Sequence, residues 1–565
     1  MRPRNLIRHL PVVAVLAYAA TALGFGEKEV ADELARYAQY DDARLIRLAD
    51  TEDRQAPGQS LTVATLIEPR FATESTTSAK TESDRIISLL AKKEFDKALE
   101  LARKLIETNP NDPNGYNLQG TAYAGKNDLA NARKSFEKAL GLQPDYVQAL
   151  FNLAQLDIQQ KDLASARKRY QAILAKDAKN ALAMIGMADV EAADKKDQES
   201  LAWLKKAKSA NPESTTPRLA LGTYYLRNKN NGMALSELTE ALRSHPDDAG
   251  LLGLLGQVQL ANRQAAVAVA TYKKLVSVRP ELPAAHYHLA IAQVDNQDFS
   301  AAAESLRKAV QLKPDYVEAI DALAKLEIRA GRPAEALKLA KDLQKAAPRS
   351  PAGLTLEGDL LLQQKRYADA LKAYQGAFAL GQSSLLAVKL HVAQNKAGNR
   401  KEADAKLQQW LNDHPDDVGA WQYLAGQNLK AGNNKLAIEQ YQRVLQKAPD
   451  NAMALSDLAI LYQREKDPRA LTIADRAYQL VPDSATTADT LGWILLEQGK
   501  TARGLELIQK AAAQAPRNAQ IRYHLAVALA KSGDKGKARK ELESLLAGDR
   551  EFPQREAAQL MLKQL

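Results

Sequence analysis

Apolar and small side chains recur in this chain at two nested spacings, three or four residues locally and 34 residues over the longer range. The stretch PNGYNLQGTAYAGKNDLANARKSFEKALGLQPDY, from Pro113 to Tyr146, shows both. With Pro113 as position 1, Tyr116 stands at 4, Gly120 at 8 and Tyr123 at 11, while Ala132, Phe136, Ala139 and Pro144 fill 20, 24, 27 and 32. Steps of three and four place 4, 8 and 11 on one face of one helix and 20, 24 and 27 on one face of a second. Each block therefore predicts a helix–turn–helix pair. Small residues at 8 and 20 let the two helices approach closely, large ones at 4, 11 and 24 fill the space around that contact, and 27 faces the next block. The proline falls where the second helix has ended and disfavours its continuation.

The same grammar returns as Leu219, Gly222, Tyr225, Ala234 and Pro246, as Leu252, Gly256, Ala268, Tyr272 and Pro280, and as Trp421, Leu424, Ala437, Tyr441 and Pro449. Prolines keep the 34-residue beat from Pro110 to Pro348, with Ala178 standing in once, and resume after single-residue slips at Pro415 and Pro482. Gly-Asn, Gly-Arg and Asn-Asp pairs in "KAGNNK", "RAGRPA" and "GKNDLA" supply turns between the helices. This period, with small residues at fixed phase and a proline near its end, is the signature of tetratricopeptide (TPR) repeats. The expected fold is all-α, a right-handed TPR superhelical solenoid of about fourteen helix–turn–helix repeats. Its expected extent is Ser83–Leu546 (83–546), with residues 547–565 as a C-terminal capping helix. Two units are one residue short, one after Gly358 ("FALGQSSLLAVKLH", without its proline) and one from Ala452, where Pro468 precedes the second helix.

A solenoid needs no central core, since each repeat buries its apolar face on its neighbours. The composition agrees, with 45% hydrophobic residues, 26% charged and only 5% aromatic. The net charge of +10 is spread among alternating lysines and glutamates, as in "KKEFDKALELARK", which reads as solvated helix surface and argues against nucleic acid as a partner. The absence of cysteine excludes disulfides, thiolate metal sites, cysteine nucleophiles and lipid attachment through an N-terminal cysteine.

Arg2, Arg4 and Arg8 precede an apolar stretch from Leu10 to Leu23, at whose end Ala20/Ala22 and Ala22/Gly24 fit a small-x-small cleavage pattern. That order reads as a secretory signal peptide over 1–24, with an uncleaved anchor as the alternative and the only route to a membrane. The expected location is the periplasm or cell envelope of a Gram-negative bacterium. Residues 25–82 read as a short helix-compatible segment, striped by Val30, Leu34, Tyr37 and Leu45, followed by a Thr/Ser/Pro/Gly-rich linker.

No GxxxxGK[ST], HExxH, GxSxG or EF-hand loop occurs. His245 and His414 sit at inter-repeat corners, His286 and His288 are two apart on a helix and share no face, and His391 and His524 lie singly in first helices. No enzyme activity, metal or cofactor is expected.

In a TPR stack the first helices line the concave side, mainly through positions 2, 5, 9, 12 and 13. Those positions hold Gln148, Phe151 and Gln155, then Tyr287 and Asp295, then Glu318, Asp321, Lys325 and Arg329. In the last two repeats they hold Asp489, Trp493, Glu497, Gln520, Tyr523 and Lys531. Aromatics among amides and charges suit an extended peptide or the faces of sugar rings. Trp493 is the leading single anchor, read as a large exposed aromatic. Sugar binding through Trp493, Tyr523 and Phe151 would be insensitive to salt, and peptide binding through Glu318–Arg329 would weaken with it.

The C-terminal third resembles a narrower group. The shortened unit with Asp467-Pro468-Arg469-Ala470, "DTLGWILLEQG" (Asp489–Gly499) and "IRYHLAVALAKSG" (Ile521–Gly533) are similar to the TPR proteins of the PEP-CTERM/exosortase system, as is "LEGDLLLQQKRYADALKAY" around Gly358. The resemblance implies an exported scaffold for exopolysaccharide production and PEP-CTERM protein sorting, with proteins of that envelope system as partners. Members are typically lipoproteins, and this cysteine-free chain departs from them. Two alternatives are a periplasmic solenoid that binds the polysaccharide itself and guides its export, and a generic cytoplasmic TPR adaptor.

Overall fold

The computed structural model describes residues 77–547 and 552–565. These residues form twenty-nine α-helices and no strand. The signal or anchor segment 1–24 and most of the 25–82 stretch lie outside the described residues. The helix Thr77–Ala91 begins six residues before Ser83, so the end of the stretch read as linker is helical instead.

Local backbone chemistry sets the turn inside every repeat. Between the first and second helices of each repeat one residue adopts a left-handed backbone, with φ between 56° and 92°. These residues run from Lys93, Asn127 and Lys161 through Gly331, Gly398 and Gly432 to Gly533. Fourteen positions do this, and only five are glycine. The turn is closed by backbone groups: Asn127 N–H donates to Ala124 O (2.9 Å) and Asp128 N–H to Tyr123 O (2.9 Å). Asp162 to Asp157 and Lys196 to Glu191 repeat the wider bond at 2.8 Å. This six-residue closure satisfies the end carbonyls of the first helix. At several of the turns between repeats a short polar side chain caps the incoming helix: Asp112 accepts from Asn114 N–H (2.9 Å), Asp248 from Leu251 N–H (2.8 Å) and Asn451 from Ala454 N–H (3.0 Å).

The described residues fall into two compact units, 77–293 and 294–565. The first holds six consecutive helix pairs, from Thr77–Ala91 with Phe95–Thr108 to Ala249–Ala261 with Ala265–Val278, and then all but the last two residues of Pro283–Asp295. The second holds Phe299–Leu312 and seven pairs, from Val317–Arg329 with Pro333–Ala346 to Ala519–Lys531 with Lys535–Leu546. By phase, Pro283–Asp295 and Phe299–Leu312 are the two halves of one repeat, which makes fourteen. The final helix, Arg555–Gln564, buries Ala558 in a cluster with Ala526 and Leu542.

Inside each repeat the small positions are closed. Ala132, Ala166, Ala234, Ala268, Ala302 and Ala336 are fully buried. A Cβ on Gly120 would stand 2.5 Å from the Phe136 ring, and one on Gly256 would stand 2.3 Å from Tyr272. Three repeats bury an acid at position 11 in place of an aromatic. Asp157 is held by Arg133 Nη2 (2.6 Å) and Arg169 Nε (2.7 Å), Glu191 by Arg167 (3.1 Å), and Glu327 by Arg307 (2.7 Å) and Arg332 (2.5 Å). Burial pushes the Glu327 carboxyl up, but hydrogen bonds from Arg332 and Arg307 outweigh it and hold the group below the usual carboxylate range.

Candidate partner-binding face

From Thr77–Ala91 to Ala249–Ala261 in the first unit, and from Val317–Arg329 to Ala519–Lys531 in the second, the first helix of each repeat touches the first helix of the next, giving a row of first-helix edges. Polar pairs between successive first helices help to fix the register of that row. Asn152 Nδ2 donates to Asn117 Oδ1 (2.9 Å) with both amides buried, and the half-buried Asn451 Nδ2 donates to the buried Gln422 Oε1 (2.8 Å). A hydrogen-bonded amide pair is well matched in a site closed to water.

In the unit 77–293, Gln148, Phe151, Gln155 and Tyr287 are all half-buried. Phe151 meets Tyr170 edge-on with centroids 5.6 Å apart, and Gln155 Nε2 donates to the Tyr170 hydroxyl at 2.6 Å. Tyr287 lies edge-on to His288 (5.5 Å). In the unit 294–565, Glu318 is exposed, Lys325 pairs with Asp321 at 2.6 Å, and the Arg329 guanidinium lies 3.8 Å from the centre of the Phe299 ring. Asp321, Lys325 and Arg329, expected to meet a partner, are thus engaged within the chain, in solvent-accessible contacts that are weak and exchangeable.

The last two repeats require a correction. Asp489 is only 7% exposed and its carboxylate meets His524 Nδ1 at 2.9 Å. Trp493 is half-buried, not openly exposed, because its ring stacks on His524 at 4.0 Å and 22°. Tyr523 is half-buried beside the same histidine, and burial raises its pKa. The partner of Trp493 is therefore the next repeat, and one face of its ring is already covered.

Asp189 was missed in the sequence reading, although its position-9 register marks it. It lies on Ala181–Ala193, one turn beyond Gly186, where a Cβ would stand 2.3 Å from the Tyr170 ring. Its surface is open to water, yet protein atoms crowd around it densely enough to raise its pKa to about 6, an effect that Arg227 partly opposes. The accessible surface decides whether a ligand can reach it, and the crowding decides how poorly its charge is solvated.

In an arrangement resembling a proton relay, Tyr423 Oη–His391 Nδ1 at 2.7 Å and His391 Nε2–Asp404 at 2.9 Å, His391 and Tyr423 are buried, at 3% and 1% exposed, and only Asp404 reaches the surface. Among the described residues, no three His, Asp or Glu side chains gather as a metal site, and no helix is long and apolar enough to cross a membrane. The row can recognise shape, apolar surface and charge.

Comparison with known proteins gives the same repeat. Two profiles described as Tetratricopeptide repeat match this chain, one over 123–184, 293–360 and 495–563, the other over 84–147, 219–317 and 394–485. The chain is 39% identical over 64 residues to the peroxisomal targeting signal receptor of Kluyveromyces lactis, covering 11% of each chain. It is 27% identical over 176 residues to a TPR repeat-containing protein of Pseudomonas aeruginosa, covering 30% of this chain and 29% of that one. The chain thus spans less than a third of the length of these curated relatives. Yeast Tom70 aligns over 86% of this chain and 99% of its own, at 16% identity and a TM-score of 0.42. The matched profiles together cover well over half of the sequence, and they lie on the helix pairs described above. The chain belongs to the tetratricopeptide-repeat family.

Proposed function

We propose that this chain is a non-enzymatic scaffold whose first-helix face holds extended segments of protein partners. One observation carries this reading: in each unit successive first helices form a row, registered by amide pairs, with aromatic, amide and charged side chains along it. Repetition gives such a face length, so many weak contacts add along an extended segment. The curated relative named as a targeting signal receptor supports recognition of protein segments. The polysaccharide alternative loses its leading anchor, because Trp493 already stacks on His524.

The finer proposal places the scaffold in the envelope of a Gram-negative bacterium, serving exopolysaccharide production and PEP-CTERM protein sorting. Its support is the arginine-led apolar stretch Leu10–Leu23 and the motifs Asp489–Gly499 and Ile521–Gly533. Crosslinking of C-terminally tagged full-length protein in its native cells, followed by mass spectrometry, tests both levels. Enrichment of polysaccharide-export components or PEP-CTERM substrates is the expected result. Recovery of cytoplasmic proteins alone would remove the envelope assignment and leave the cytoplasmic adaptor.

A further inference from the structure

Asp189 and Asp359 occupy the same position, 9, in two different repeats. At Asp359 the chain supplies its own counter-charge. Tyr374, at position 24 of that repeat, donates its hydroxyl to Asp359 Oδ1 at 2.6 Å, and Lys389, at position 6 of the next, places its ammonium 2.5 Å from the same oxygen. Lys389 is 9% exposed, so this ion pair is part of the fold. Around Asp189 those two positions hold Leu204 and Ala220, which can offer neither a hydroxyl nor a cation. No described residue hydrogen-bonds or ion-pairs with the Asp189 carboxylate, and Arg227 acts on it only through space.

The surroundings narrow the ligand further. Phe151, Ile185 and Leu219, at position 5 of three successive first helices and so one turn before position 9, are all apolar and half-buried. Gln155 is turned toward the Tyr170 hydroxyl. The complement of an apolar strip that carries one unmatched carboxylate is an apolar chain that carries one cation.

We propose that Asp189 anchors a lysine or arginine side chain of an extended, otherwise apolar segment of a protein partner lying along residues 147–227. This rests on the reading that the first-helix face binds protein segments. The contact that position 9 makes is already visible within the chain, in the Lys389–Asp359 pair. The charged and titratable groups that act on Asp189 are Arg227 from the following first helix and Tyr170 from the preceding second helix, neither of which changes charge between about pH 5 and 7.5, so its own ionisation governs the contact there. A carboxyl titrating at about 6 is charged above that pH and binds a cation there; the preference is lost as the pH falls through it.

The test uses the full chain, fluorescence anisotropy and two labelled peptides, Gly-Leu-Val-Lys-Val-Leu-Gly and the same peptide with norleucine for lysine. At about pH 7.5 the wild type should bind the lysine peptide about tenfold more tightly, and at about pH 5 the two should converge. D189N should bring them within about twofold of each other at the higher pH. A220K, which sets a lysine where Lys389 stands relative to Asp359, should do the same by occupying the site from within. Hydrogen exchange over 147–227 should match wild type in D189N, which separates lost contact from lost structure. A lysine preference that survives either substitution, or is absent in wild type while both peptides bind, overturns the Asp189 contact and leaves the binding face standing. If neither peptide binds wild type, the face itself is misread and the proposal falls with it.

Discussion

Replacing Gly256 by alanine sets two opposing effects against each other at one atom. Alanine favours the helix Ala249–Ala261 by about 1 kcal/mol, because glycine gives up more backbone freedom there. The added methyl would stand 2.3 Å from Tyr272 Cζ and 2.6 and 2.7 Å from its two Cε atoms, well inside any real contact. Tyr272 has little room to yield. It is fully buried, its hydroxyl donates to Gly253 O at 3.3 Å, and its ring stacks on His288 at 5.7 Å. Overpacking costs about 1–3 kcal/mol, and displacing the hydroxyl and the stack adds about 1 kcal/mol each. The expected net loss is about 2–4 kcal/mol. Hydrogen exchange of amides in 249–278 reads it locally, as repeat arrays open in segments. G141A is the matched control, since nothing lies within 4 Å of a Cβ at Gly141, and it should gain up to about 1 kcal/mol. Shrinking the ring in a Y272L/G256A double variant should cost less than the two changes summed. Protection in G256A equal to wild type would refute the steric account of position 8.

The other predictions rest on separate features. D157N should destabilise by about 2 kcal/mol in urea titration, because Arg133 and Arg169 then face a neutral amide; a change below about 0.5 kcal/mol would mean that water replaces the carboxylate freely. K161G should raise the melting temperature, gaining about 0.5–1 kcal/mol by relieving a lysine held at φ 65°, and no gain would show that the turn has no strain to release. Burial lowers the His288 pKa, so the folded state resists the proton that the unfolded chain accepts. Stability in 77–293 should therefore fall as the pH drops below about 6.5, and H288N should flatten that slope in melts at about pH 7.5 and 5.

The repeat was legible because its contacts are short-range and recur at one spacing. Gly120 against Phe136 and Gly256 against Tyr272 are each 16 residues apart, so a single block of sequence holds both partners. The binding face was less legible, because its side chains are decided by the following repeat. Asp489 and Trp493 read as open groove positions until His524, carried on the next first helix, closes over both. His391 read as solitary for the same reason, since Tyr423 lies 32 residues on. Asp189 escaped notice because its distinguishing feature is what Leu204 and Ala220 fail to provide. The turns were half-visible: Gly331 and Gly432 announce a left-handed residue, whereas Lys161 and Lys195 adopt it under the pull of the same backbone bonds.

Those self-closing turns bear on how such a chain changes over generations. Because main-chain groups make the closure, the side chain at its apex is free to drift between lysine, arginine, asparagine, glutamine and glycine, as it has within this one molecule. A block of 34 residues cut at that apex carries the donors of one turn at its start and the acceptors of the next at its end, so the same bonds re-form wherever two blocks are joined in phase. Copying or deleting such a block leaves no unpaired group at the seam. The length of the recognition surface is then inherited as a count of units, adjustable by recombination in whole steps, while specificity evolves separately at the few positions that face outward.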